Sequence, residues 1–133
     1  MRLLLAGGGT GGHLFPAVAL AEKLKADEPE AEVLFVGTER GIEARVLPEL
    51  GWPLETVDIK GFSGKGIFAK LEVMVKMIKS VKQGKTILRQ FAPDIVIGVG
   101  GYASAPMIVA AKMQGVPVVL HEQNAIPGLI NRL

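Results

Sequence analysis

The chain has 133 residues, 49% of them hydrophobic, a net charge of +2 and no cysteine. That length and apolar content suffice for one domain with a buried core, and the missing cysteine excludes a disulfide framework and thiolate chemistry. No apolar run is long enough to span a bilayer, and the apolar start, Leu3 to Ala6, meets glycine too soon for a signal-peptide core.

A first strand is expected at about residues 2–6 and a first helix at about 15–27, where Ala17, Leu20, Ala21 and Leu24 recur at helical spacing. Between them runs Gly7-Gly8-Gly9-Thr10-Gly11-Gly12-His13-Leu14-Phe15-Pro16. Glycines let the backbone turn tightly and approach a ligand with no Cβ in the way, and the free N–H groups of a helix's first turn attract phosphate. Pro16 suits an early helical position. Two weaker patterns overlap here. Gly7, Gly9 and Gly12 match the dinucleotide spacing G-x-G-x-x-G, but the second strand, expected at 32–36, runs into Gly37-Thr38 where that fingerprint wants an acid. A Walker A loop would need Lys and Ser or Thr where His13 and Leu14 stand.

A helix at about 39–50, a strand at 54–59 and a long helix at 68–91 follow. The window from Lys60 to Arg89 holds eight of the fifteen basic residues and one acid, Glu72, so it carries +7 against −5 for the remainder. Such a concentration of positive charge points to an anionic partner. Leu71, Val75, Ile78, Lys82, Lys85 and Arg89 fall on one helical strip, apolar at its start and basic at its end, while Val73, Met74, Met77, Val81 and Leu88 are expected to face the core. A helix with two apolar faces suits a peripheral contact with an anionic membrane surface. The competing reading is one wide core stripe with solvated lysines. No aromatic residues interleave with the lysines as a nucleic-acid stacking platform requires, so no nucleic-acid partner is expected.

A strand at about 94–98, a helix at 104–114 and a strand at 116–120 complete the pattern. Continuous apolar strands alternating with helices predict an α/β, Rossmann-like, doubly wound parallel sheet, which binds ligands beyond the carboxyl ends of its strands. Three polar or glycine-rich segments are expected at that edge: Gly7–His13, Gly100-Gly101-Tyr102-Ala103-Ser104 and His121-Glu122-Gln123-Asn124. With two histidines, three aspartates and no Asp-x-Asp pair, no dedicated cation site is expected. The last residues, Gly128–Leu133, open a helical pattern that stops, and a further domain downstream is expected.

The segments GGTGGHLFPA at 8–17, GVGGYASAP at 98–106 and HEQNAIPGL at 121–129 resemble the MurG family of N-acetylglucosaminyltransferases, which convert lipid I to lipid II in peptidoglycan synthesis. The resemblance implies the N-terminal, acceptor-binding and membrane-facing half of a two-domain GT-B enzyme over residues 1–133, with the C-terminal donor-binding domain absent. It further implies UDP-GlcNAc as donor, the undecaprenyl-diphosphate acceptor lipid I, inversion without metal or cofactor, and a peripheral place on the cytoplasmic face of the bacterial membrane. For an inverting displacement a base must take the acceptor's proton. His13 is the first candidate and Glu122 the second, although His13 could instead hold the glycine loop and Glu122 belong to a polar strand-end network. By the same resemblance Thr10, Gly11, Gly12 and Asn124 touch the transferred sugar or diphosphate, and Gly100, Gly101, Tyr102, Ser104 and Gln123 line the substrate edge. The ring of Tyr102 either packs on a sugar or covers the sheet edge. The alternatives are a non-catalytic lipid-binding or scaffold subunit and, below it, a dinucleotide-binding domain.

Overall fold

Strand pairing is parallel throughout. The computed structural model describes residues 1–7, 11–57, 67–101 and 103–121. In chain order the elements are β1 (Arg2–Gly7), α1 (Gly11–Asp27), β2 (Glu32–Gly37), α2 (Glu43–Leu50), β3 (Leu54–Thr56), α3 (Ile67–Phe91), β4 (Ile95–Gly100), α4 (Ser104–Met113) and β5 (Val118–Leu120). The five strands lie in the order β3-β2-β1-β4-β5, so the winding reverses beside β1, between β1 and β4. Side chains alternate across the pleat. Leu3 and Leu5 join Leu14, Ala17, Val18 and Leu47 on the face of α1 and α2, whereas Leu4 and Ala6 join Val81, Leu88 and Met107 on the face of α3 and α4. A sheet covered on both sides explains why its central strands read as unbroken apolar runs.

Several boundaries move for local reasons. α1 begins at Gly11, four residues before the expected start, so His13 lies in its first turn and Pro16 is its sixth residue rather than its second. α2 begins at Glu43 rather than 39 because residues 38–41 form a turn, closed by the carboxylate of Glu43. β5 starts after Pro117, which has no N–H to give the ladder and instead accepts from the Val96 N–H at 2.9 Å. The expected end of β3, residues 58–59, lies outside the described residues.

Arg2 fixes α3 at the amino edge of the sheet. Its Nε donates to the carbonyl of Phe91 at 2.7 Å, its guanidinium stands 4.5 Å over the Phe91 ring and pairs with Glu32, and its backbone N–H donates to Asp94 at 2.8 Å. From that anchor the 25 residues of α3 span about 37 Å at the usual helical rise. A six-residue strand covers about 20 Å. The first turns of α3 therefore overhang the carboxyl edge, beyond the reach of the sheet. There Leu71, Met74, Val75 and Ile78 are 53%, 60%, 64% and 55% exposed. Met74, expected in the core, belongs to this exposed stripe, being three residues from Leu71 and four from Ile78. Val81 and Leu88 are buried as expected, and Met77 packs against the core.

Candidate functional site

The carboxyl ends of β1 and β4 meet through glycines. The register shifts between Ala6 and Gly7, which pairs with Gly100. Gly7 has φ +137°, and a Cβ on it would stand 2.7 Å from the Val99 side chain and run into the Gly100 carbonyl. Gly100 has φ +98°, and a Cβ there would lie 3.0 Å from both Cδ2 and Nε2 of His13. Only a strand ending without side chains lets the imidazole lie against the backbone at this point.

This approach brings most of the expected edge together. Gly11, Gly12 and His13 form the first turn of α1, and His13 is half-buried against β4. Gly101 accepts from the Ser104 N–H at 3.3 Å as the chain enters α4. Ser104 is fully buried, and its Oγ has no hydrogen-bond partner among the described residues; a Cβ on Gly98 would stand 2.8 Å from it. The N–H of His121 donates to the Gly98 carbonyl at 2.8 Å, so the third segment leaves β5 at the same edge. Thr10, Tyr102, Glu122, Gln123 and Asn124 lie outside the described residues. Among the described residues no cluster of three or more His, Asp or Glu is placed to hold a metal.

The resulting crevice lies where the strand order reverses, with two helix starts, α1 and α4, opening onto it. Helix N-termini at such a crevice supply backbone donors and positive potential suited to a phosphate. Sequence reasoning missed the neighbouring turn at 38–41, in which Glu43, 1% exposed, accepts from Thr38. Its signal was the pair Gly37 and Gly41, at each of which a Cβ would collide with that carboxylate.

On α3, Lys82 and Arg89 are exposed and Lys85 half-buried. The one acid of the basic window, Glu72, is bonded to Lys76 at 2.7 Å, and that hydrogen bond, with the ammonium charge, holds its carboxyl below the usual range. The exposed apolar stripe thus has basic residues further along the same helix and lies at the crevice end of the sheet. No helix among the described residues is long and apolar enough to cross a membrane.

Known proteins share this fold. The chain is 66% identical, over its whole length, to a UDP-N-acetylglucosamine--N-acetylmuramyl-(pentapeptide) pyrophosphoryl-undecaprenol N-acetylglucosamine transferase of Syntrophotalea carbinolica, and covers 37% of that protein. It is 53% identical to the transferase of the same name from Geobacter sp. strain M21, covering 36% of it. Among solved structures, the crystal structure of Acinetobacter baumannii MurG superposes with a TM-score of 0.85 at 36% identity, over 98% of this chain and 38% of that one. The chain thus spans little more than a third of the length of these relatives. The model of the glycosyltransferase family 28 N-terminal domain matches residues 3–133, and this, with the glycine-built crevice of a doubly wound sheet, places the chain in glycosyltransferase family 28.

Proposed function

We propose that this chain is the acceptor-binding, membrane-facing N-terminal domain of an inverting N-acetylglucosaminyltransferase. The enzyme moves GlcNAc from UDP-GlcNAc to the 4-hydroxyl of the N-acetylmuramoyl-pentapeptide carried on undecaprenyl diphosphate, while a second domain holds most of the UDP. The observation that carries the reading is the meeting of three segments, around His13, Gly100 and His121, at the β1/β4 crevice. In support, the relative that is 66% identical over the 133 matched residues bears this activity in its name.

The roles follow from the chemistry of each group. The first turn of α1, with Thr10, Gly11 and Gly12, offers backbone donors to the diphosphate or the transferred sugar. His13, or alternatively Glu122, takes the proton of the acceptor hydroxyl as the anomeric carbon is attacked from the face opposite the departing UDP. Asn124 both donates to and accepts from sugar hydroxyls, as does Gln123. Gly100, Gly101 and Tyr102 form the floor, whereas Ser104, expected at the substrate edge, is fully buried and supports that floor from beneath. One observation favours a holding role for His13, namely the packing of its ring on Gly100.

A fusion tests the reading. When this chain replaces the corresponding segment of the Syntrophotalea carbinolica relative, the chimera is expected to transfer GlcNAc to a lipid I analogue, while the 133 residues alone transfer none, because catalysis needs the nucleotide held in line with the acceptor. Transfer by the chain alone would refute the two-domain reading, and a folded but inactive chimera would refute the shared activity.

The exposed stripe supports a peripheral seat on the anionic inner surface of the bacterial cell membrane, with Leu71, Val75 and Ile78 entering the interface and Lys82, Lys85 and Arg89 facing the headgroups. The triple change of Leu71, Val75 and Ile78 to Ser is expected to weaken binding to anionic vesicles and leave the melting temperature nearly unchanged, since these side chains already face solvent. Reversing Lys82 and Lys85 to Glu is expected to cost on the order of 1 kcal/mol per charge near the surface, less at high salt. Vesicle sedimentation that is insensitive to both changes would remove α3 from the membrane contact.

A further inference from the structure

Glu43 is the first residue of α2, yet it is 1% exposed. An acid in a helix's first turn gains from the dipole without being buried, whereas taking a carboxylate out of water is costly unless its oxygens are bonded. Here they serve the preceding turn. Oε1 accepts from the Thr38 N–H at 2.9 Å and from the Thr38 hydroxyl at 3.2 Å, and that hydroxyl oxygen accepts from the Gly41 N–H at 3.2 Å. Gly37 closes on the group from the strand side, where a Cβ would stand 2.7 Å from Oε1. The turn between β2 and α2 is thus wound around one carboxylate.

Ile42, between this turn and α2, reaches the start of α1. Cδ1 of Ile42 lies 3.9 Å from the position a Gly11 Cβ would take, and the Phe15 ring reaches within 3.1 Å of the same position. Ile42 and the exposed Phe15 therefore flank the first turn of α1 on the side away from β4. The placement of Ile42 depends on the turn, and the turn depends on the carboxylate.

We propose that Glu43 is a positioning residue that fixes the β2–α2 turn, so that Ile42 and Phe15 form an apolar wall beside Gly11 and delimit the seat of the sugar diphosphate bound there. The identity of that ligand rests on the function proposed above; the wall does not.

Two measurements test this. In the 15N-labelled chain, Glu43→Ala is expected to shift the amide signals of Gly11, Gly12 and His13 together with those of residues 38–44, whereas shifts confined to 38–44 would overturn the coupling. In the chimera with UDP-GlcNAc varied, Glu43→Ala is expected to lower kcat/KM by about ten- to a hundred-fold, the scale of a small misplacement at a reacting centre, chiefly through KM. Glu43→Gln keeps an oxygen to accept from Thr38 and should restore values close to the parent. A lower melting temperature with unaltered KM, or a Gln variant as impaired as the Ala variant, would overturn the proposal. Thr38→Val removes only the hydroxyl link and carries the same pair of readings should Glu43→Ala fail to fold. A parent chimera without transfer would count against the glycosyltransferase reading, and the amide shifts would then decide on the wall.

Discussion

In the chimera, His13→Ala is expected to lower kcat by about a hundred-fold or more if the imidazole is the base, the usual scale for losing a general base. The geometry gives the residue two possible tasks, and they separate experimentally. His13 stands in the first turn of α1 and lies against Gly100, so it could accept a proton at the crevice or brace the contact between α1 and β4. A brace can be rebuilt by another planar polar group of similar reach. His13→Gln should then recover most of the turnover lost in the alanine variant, whereas a base cannot be replaced by an amide that takes no proton. The parallel change Glu122→Gln keeps shape and removes acid–base function, which separates the two candidates. A large kcat loss in both His13 variants, with KM little changed and Glu122→Gln active, assigns the base to His13. Near-normal turnover in His13→Ala removes it from the mechanism.

The fold is legible because burial on both faces writes itself as unbroken apolar strands, and the apolar runs at 2–6 and 94–98 match β1 and β4 within two residues at either end. Where the reading slipped, tertiary contacts decided. α1 starts early because the glycines after the loop already turn as helix, and α2 starts late because a carboxylate five residues beyond Thr38 folds back onto it. Such a bond joins residues with no pattern between them. Met74 shows a different failure: its spacing from Leu71 and Ile78 put it on the exposed stripe, but an apolar residue reads as core until the length of α3 is set against the width of the sheet. Of the candidate site, the meeting of Gly100 with His13 was implied by the winding order, because both lie at the carboxyl edge. The contact itself was not, since it depends on the positive φ of Gly100 and a register shift beside Gly7.

Two glycines of one motif are expected to fail in opposite ways. Gly7→Ala places a Cβ against the Gly100 carbonyl and the Val99 side chain at φ +137°, where neither the backbone nor a buried valine can give way. Left-handed strain and overpacking together cost about 3–5 kcal/mol, or roughly ten degrees of melting temperature or more in a domain of this size. Gly11 lies in α1, where the nearest atoms to a Cβ among the described residues are ring atoms of Phe15, at 3.1 and 3.3 Å, and the far end of Ile42. Phe15 is exposed and can swing aside, and at the first residue of α1 alanine gains part of the about 0.5–1 kcal/mol by which it favours a helix interior over glycine. Gly11→Ala should therefore keep or raise the melting temperature while raising KM in the chimera, because the added methyl stands where a sugar diphosphate would approach the helix start. Melting curves and steady-state kinetics on the two variants decide the matter. A Gly11 variant that loses stability as Gly7 does and leaves KM untouched would mean that both glycines serve the backbone, and that the crevice takes its ligand elsewhere.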